Sequence, residues 1–349
     1  MSPQSSPERI RIADAGGILN RVPEDEPLDA DWEYELEEEG FYMGSYPRLV
    51  ALYTLAPLTA LLTLAALAAL PYIFYRRPTP LPPSYPYTTL LPYPLPELLA
   101  PAALYALTHL LRDPLYAVSA FVVPQPLAAT LLSTSLYTGL SIAARFAALA
   151  LLLVRPHAVS ERATWHDPAF ARVWWAGLGW AAVEGAISVA QGYAGLALYR
   201  DVLVSQRAPT PPEPAGSPDS EHTPLLPARD CDLDSALDHD LEQLLALRTR
   251  DELADALGTP LVRVPAFIPC LQRFNALLLS LGLFLLLGAA LFASAVALVA
   301  AAAAAHLLLA VLHAPGVLPR VGLHSAAFVG AVVSLGVFFA GLGVWGGVS

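Results

Sequence analysis

The chain has 349 residues, 56% of them hydrophobic and only 14% charged, and its mean hydropathy is +0.52. Water-soluble domains carry about a quarter charged residues, so a string of such domains is excluded and a membrane protein is expected. No nucleic-acid partner is expected, the net charge of −11 argues against a basic membrane-surface patch, and all 19 basic residues are arginine.

From the start, residues 1–46 read as a disordered acidic tail, with ten of the sixteen positions from Glu24 to Glu39 being Asp or Glu. Trp32, Tyr34 and Leu36 punctuate that run. No cleavable signal precedes the first apolar run, which is expected to serve as its own insertion signal. That run, Leu49 to Tyr75, is 27 residues without a charge and stops at Arg76-Arg77. About 20 suffice to cross a bilayer. The proline-dense segment 78–97 then reads as an extended, non-helical loop.

Leu98–Leu111 and Leu115–Val123 flank the charged pair Arg112-Asp113, and each is too short to cross alone. Asp113 before Pro114 has the form of a helix cap followed by proline at the first helical position. The pair therefore marks a discontinuous transmembrane helix, one kinked span or a re-entrant hairpin. Leu127–Val154 is a third span and Arg172–Tyr199 a fourth, the latter introduced by a second Asp-Pro start at Asp167-Pro168. Trp174 and Trp175 at one end, with Tyr193 and Tyr199 at the other, suggest interfacial belts. Residues 47–200 thus hold spans one to four.

Residues 201–234 form a low-complexity linker, and 235–258 an amphipathic region of two short helices. Leu237, Leu241, Leu244 and Leu245 recur at helical spacing in the first, while Thr249 and Glu252 form a capping box for the second, which Gly258 ends. Within 265–349, the apolar stretch from Asn275 to His313 is too long for one helix and divides near Ala295; a last span runs from Leu323 to Trp345. Its Ala326, Gly330 and Ser334 make a small face for close packing. The expected fold is all-α: a polytopic bundle of about seven spans, with the N-terminus and the 200–268 loop on the cytosolic side. Cys231 and Cys270 make neither a disulfide framework nor a metal site. No HExxH, GxSxG or Cys-His arrangement appears, so neither enzymatic activity nor a cofactor is expected.

Polar residues recur inside the spans. Thr134, Thr138, Ser141 and Arg145 share one face of the third, and Gly177, Ala181, Glu184, Ser188 and Gln191 one face of the fourth. Counted at the helical rise, Arg145, Glu184, Arg112 and His306 fall roughly 14–21 Å below one membrane face. Together with Asp113 and Gln191 they define a polar seam, with an Arg145–Glu184 ion pair geometrically reasonable. Such a seam serves as a transport or proton-relay path, or as hydrogen-bonded glue between helices. In the linker, Glu221 followed by Leu225-Leu226 fits an acidic dileucine signal for a sorting adaptor, of the kind that directs membrane proteins to vacuoles or lysosomes.

Three stretches, "EEEGFYMGSYPRL", "WHDPAFARVWW" with "QGYAGLALYRD", and "FFAGLGVWG", resemble a group of uncharacterised multi-pass membrane proteins of ascomycete fungi. The resemblance spans most of the chain outside the proline-rich loop and the linker. It implies a polytopic membrane protein and assigns no catalytic residue. The combined expectation is a small-solute or ion transporter of the vacuole or a related endomembrane, the alternative being a non-catalytic scaffold that recruits soluble partners.

Overall fold

A computed structural model describes residues 41–74, 95–152, 154, 163–204 and 233–346. The acidic run, most of the proline-rich loop, and the linker with Glu221, Leu225 and Leu226 lie outside the described residues.

The described chain is mostly helical. It begins with β1 (Tyr42–Met43), α1 (Tyr46–Tyr53) and α2 (Leu55–Phe74), followed by α3 (Leu95–Leu110), α4 (Arg112–Val122), α5 (Pro126–Leu151) and α6 (Pro168–Ala197). After β2 (Leu203–Val204), which pairs in parallel with β1, come α7 (Leu233–Leu257), a 3-10 turn (Leu261–Arg263), α8 (Phe267–Ala293), α9 (Val296–Leu312), α10 (Leu318–Val321) and α11 (Leu323–Val344). Five helical runs are long and apolar enough to cross a membrane: Tyr46–Pro71, α5, α6, α8 and α11. The 17-residue α9 is apolar but shorter.

Prolines set several of these boundaries. A helical proline has no N–H for the carbonyl four residues back and its ring crowds that carbonyl. Pro57 and Pro114 do this to Tyr53 and Leu110, and α1/α2 and α3/α4 break at the next residue, Thr54 and Leu111. Both keep right-handed helical dihedrals, and helical hydrogen bonds bridge each break, Leu58 N–H to Thr54 O at 3.2 Å and Leu115 N–H to Leu111 O at 3.1 Å. The α3–α4 break is accordingly a kink, which rules out the re-entrant hairpin. It also corrects the expected cap: Asp113 lies within the first turn of α4, one residue past Arg112, and Leu111 occupies the cap position.

Pro71 likewise leaves the Leu67 carbonyl without its helical donor, and the Trp174 indole supplies one at 3.1 Å. Trp174 and Trp175, expected in an interfacial belt, are buried inside the bundle. Proline density also misleads at the start of α3. Pro96 is tolerated in a first helical turn, so the helix begins at Leu95 and takes Glu97 from the expected loop. Two other boundaries agree with expectation. Asp167 Oδ1 accepts the Ala169 N–H at 2.9 Å to cap α6, and α8 ends at Ser294, whose positive φ of 50° closes the helix just before Ala295.

Contacts along the helices fix their relative directions. In α3 and α6, Glu97 faces Arg172 and Tyr105 faces Trp180, so they run parallel. In α6 and α8, Val173 meets Gly288 and Gly185 meets Leu277, so they run antiparallel. Tyr53 with Tyr193 and Leu67 with Trp174 set the run of α1 and α2 antiparallel to α6. Asn275 beside Gly330 and Leu285 beside Gly341 make α8 and α11 parallel, with Ala326, Gly330 and Ser334 all buried as the small face requires. Arg172, paired with Glu97, reaches Leu152 at the end of α5, while Thr108 lies beside Tyr137, which sets α5 antiparallel to α3. Leu127 at the start of α5 touches Gly316 just beyond α9, and Arg145 and His306 interact midway, so α9 opposes α5. Hence α2, α5, α8 and α11 point one way and α3, α6 and α9 the other. α8 lies at the centre, packed against α11, α6, α2 and α9.

The two ends are built differently. At one, Trp345 donates from its indole to Leu285 O at 2.9 Å, accepts the Trp165 N–H at 2.7 Å and meets Phe170 and Phe292 edge-on. At the other, β1, β2 and α7 form a cap in which Tyr199 accepts the Leu261 N–H at 3.2 Å and packs on Tyr42. The two short helices expected around Thr249 are one. Thr249 donates to Leu245 O at 2.7 Å instead of capping, Glu252 pairs with Arg248 at 2.9 Å, and Gly258 with φ 76° ends the helix as its lack of a side chain allows.

Candidate functional site

The polar stripe of α5 faces inward. Thr138, Ser141 and Arg145 are buried, and Thr134 and Thr138 each return a hydroxyl proton to the carbonyl four residues earlier, so neither donor is stranded in the apolar interior. Arg145 is 1% exposed. One of its Nη atoms hydrogen-bonds Ser141 Oγ, and the other reaches Ser280 Oγ at 3.5 Å. Its guanidinium carbon lies 4.2 Å from the Trp180 ring centroid and 6.0 Å from that of Phe284. A cation over an indole face gains about 2 kcal/mol when desolvated, which offsets part of the cost of burial.

Ser280 is the link. Its hydroxyl donates to Glu184 Oε2, so Arg145 and Glu184 are joined through Ser280 and form no direct ion pair within 4.0 Å. The expected Arg145–Glu184 contact is corrected to a three-residue chain drawn from α5, α8 and α6. Trp180, one turn before Glu184 on α6, covers the guanidinium face, while Ser141 and Ser280 take its edge donors. Replacing Ser280 by alanine is expected to lower stability by about 1–3 kcal/mol, because the buried partners on both sides lose a neighbour. Thermal unfolding of the purified variant in detergent measures this, and an unchanged midpoint would mean the chain carries no stability.

The other expected seam residues divide. His306 is half-buried, with Nδ1 enclosed and without a hydrogen-bond partner, and is near enough to Arg145 to feel its charge. Gln191 is exposed and lines a cleft at the capped end. Arg112 and Asp113 are also exposed, which corrects their assignment to a buried layer. At the kink they point away from the bundle. The α6 stripe runs from packed Gly177 and Ala181 through Glu184 and Ser188 to Gln191 in the cleft.

That cleft, about 540 Å³, lies between α1, the second half of α6, the end of α7 and the start of α8. Ser188, Gln191, Gln272 and Arg273 are its polar wall toward the bundle. Arg273 donates to Ser188 O at 3.2 Å and acts electrostatically on Glu184. Ser188 is four residues from Glu184, roughly 6 Å along the helix. The cleft therefore stops one turn from the charged chain.

The chain matches no protein-family model, no curated protein and no solved structure.

Several participants escaped the sequence reading. Ser280 is a lone serine in an apolar run, and Trp180 and Phe284 look like ordinary core. The larger omission is Glu97 with Arg172, a buried ion pair 1% and 4% exposed, with Oε1 to Nε at 3.7 Å. Arg172 also donates to Leu152 O at 2.8 Å, tying α3, α6 and the last turn of α5 together. Among the described residues no group of three or more His, Cys, Asp or Glu is arranged to hold a metal.

Proposed function

We propose that this is a seven-crossing integral membrane protein that moves a small solute or ion along a path from the capped-end cleft past Glu184 into the polar seam. The observation that carries the reading is the junction itself: a cleft ending one turn from Glu184, whose carboxylate is held by Ser280 and through it coupled to Arg145. Charged groups inside a membrane bundle are costly and characteristically belong to substrate or ion pathways. The strict alternation of helix direction supports seven crossings. The parallel pair α8 and α11 requires α9 to return, at roughly 25 Å of helix, and the 28 residues of α3–α4 make the second crossing with a kink.

In this reading the cap lies on the cytosolic side, together with the acidic tail and the linker. The dileucine motif Glu221, Leu225, Leu226 directs the protein through a sorting adaptor to the vacuole or a related endomembrane of a fungal cell, in keeping with the ascomycete resemblance. The test compares ion and small-metabolite contents of isolated vacuoles from cells carrying the tagged wild type, no protein, or Glu184→Gln at matched abundance. The deletion and Glu184→Gln should shift the same solute, and the tag should report the vacuolar membrane. Unchanged contents in both strains reject transport, and a tag found elsewhere rejects the address.

A second reading, a non-catalytic scaffold, is supported by α7, where Leu241, Leu244 and Leu245 are 55–63% exposed on an acidic helix. It predicts a soluble partner lost on α7 truncation while solute contents stay unchanged.

A further inference from the structure

The outer face of α4 carries two charges on the outside of the bundle. Arg112 and Asp113 are exposed, and so are Tyr116, Ala117, Ala120 and Phe121. At intervals of four these residues form two adjoining rows along the helix, Arg112–Tyr116–Ala120 and Asp113–Ala117–Phe121. Phe121 is 92% exposed, while Ser119 is buried on the side where α4 packs on α5.

Two helices fix the level of these charges. Arg112 lies ten residues before Val122, where α4 ends at the capped side. It is also near enough to Tyr137 to act on it electrostatically, and Tyr137 is eleven residues past Pro126, where α5 begins at that same side. Either count places the charges roughly 15–17 Å from the helix ends, about the middle of a hydrocarbon layer some 30 Å thick. Charged side chains at that depth characteristically face protein or water and pair with one another, because lipid solvates them poorly. Adjacent residues of one helix do not face each other, so Arg112 and Asp113 do not neutralise one another.

We propose that this face of α4 is the interface of a twofold homodimer in which Arg112 of each copy pairs with the partner's Asp113. The charges themselves select a second copy as the occupant. One cation and one anion stand side by side at a single level, and copies inserted in the same orientation are related by an axis along the membrane normal. Such an axis brings unlike charges together twice. The guanidinium fork then meets a carboxylate in its preferred geometry, Ala117 and Ala120 let the helices approach closely, and Tyr116 and Phe121 supply aromatic contact toward the capped end. The inference rests on α3–α4 being a membrane crossing and is independent of transport through the seam.

The test uses full-length chains labelled with donor or acceptor fluorophores and mixed in phosphatidylcholine vesicles over a range of protein-to-lipid ratios. Wild-type chains should show energy transfer beyond chance encounter. Arg112→Asp makes the face wholly acidic and Asp113→Arg makes it wholly basic, so each variant alone should associate about tenfold or more weakly. Mixed with each other, the acidic and basic variants should recover transfer, a result that misfolding of either could not produce. Wild-type chains that stay monomeric throughout, single variants that associate as the wild type does, or a mixture that does not recover would each overturn the proposal. A nitroxide on Leu107→Cys, in a Cys231→Ser/Cys270→Ser background, reads the crossing separately at a side chain 53% exposed. Relaxation by oxygen and not by an aqueous nickel complex, without association, rejects the dimer alone; relaxation by nickel rejects the crossing and the dimer with it.

Discussion

Glu97→Leu is expected to lower the thermal midpoint of the purified protein by roughly 10 °C, corresponding to about 3–5 kcal/mol. Glu97 and Arg172 are both almost wholly enclosed, and the carboxylate pairs with the guanidinium across the α3–α6 contact. Without it the guanidinium loses a carboxylate beside it in a low-dielectric interior, and breaking one side of a buried pair costs several kcal/mol. The double variant Glu97→Leu/Arg172→Met removes both charges at similar volume and should recover most of the loss. A single variant with an unchanged midpoint, or a double variant worse than the single, would mean that the pair does not hold these helices.

Gly179→Val should be comparably damaging for a purely steric reason. A Cβ at this position would lie 2.2 Å from the Leu98 carbonyl oxygen and 2.8 Å from its C and Cα atoms. Those atoms are backbone, so no rotamer change makes room and α3 must move off α6. Overpacking of this type costs about 1–3 kcal/mol and more where backbone is displaced. The displacement would also strain the Glu97–Arg172 contact two turns back along α6. Gly139→Ala is the matched control: nothing lies within 4 Å of its added methyl, and alanine is the better helix former by about 1 kcal/mol. Its midpoint should be unchanged or raised. If Gly179→Val unfolds no earlier than Gly139→Ala, the close α3–α6 crossing is not present in the protein.

Much of the architecture was legible because a bilayer constrains a chain strongly. A crossing helix must be apolar for its whole length and bond its own backbone, so α2, α5, α6, α8 and α11 all announce themselves as long uncharged or nearly uncharged runs. Punctuation was legible where its chemistry is local. Asp167-Pro168 begins α6, Gly258 ends α7, and the division of the long apolar stretch falls beside Ser294. It failed where proline has two meanings. Pro96 opens a helix in a segment whose proline content argues against one, and Pro114 bends the chain instead of starting it after a cap.

The site divides along the same line. Helical spacing establishes which face of its own helix a residue occupies, and so Arg145 was correctly read on the face of Ser141, and Glu184 on that of Ser188 and Gln191. Spacing carries no information about the neighbour that this face meets. Only the packed bundle decided that Ser280 stands between Arg145 and Glu184, that Trp180 covers the guanidinium, and that Glu97 is the counterion of Arg172 across 75 residues of chain. Only the bundle, too, left Arg112 and Asp113 at the surface: the energetic cost of a charge depends on where the helix turns it, and that rotation is set by contacts between helices, not by the residues of one.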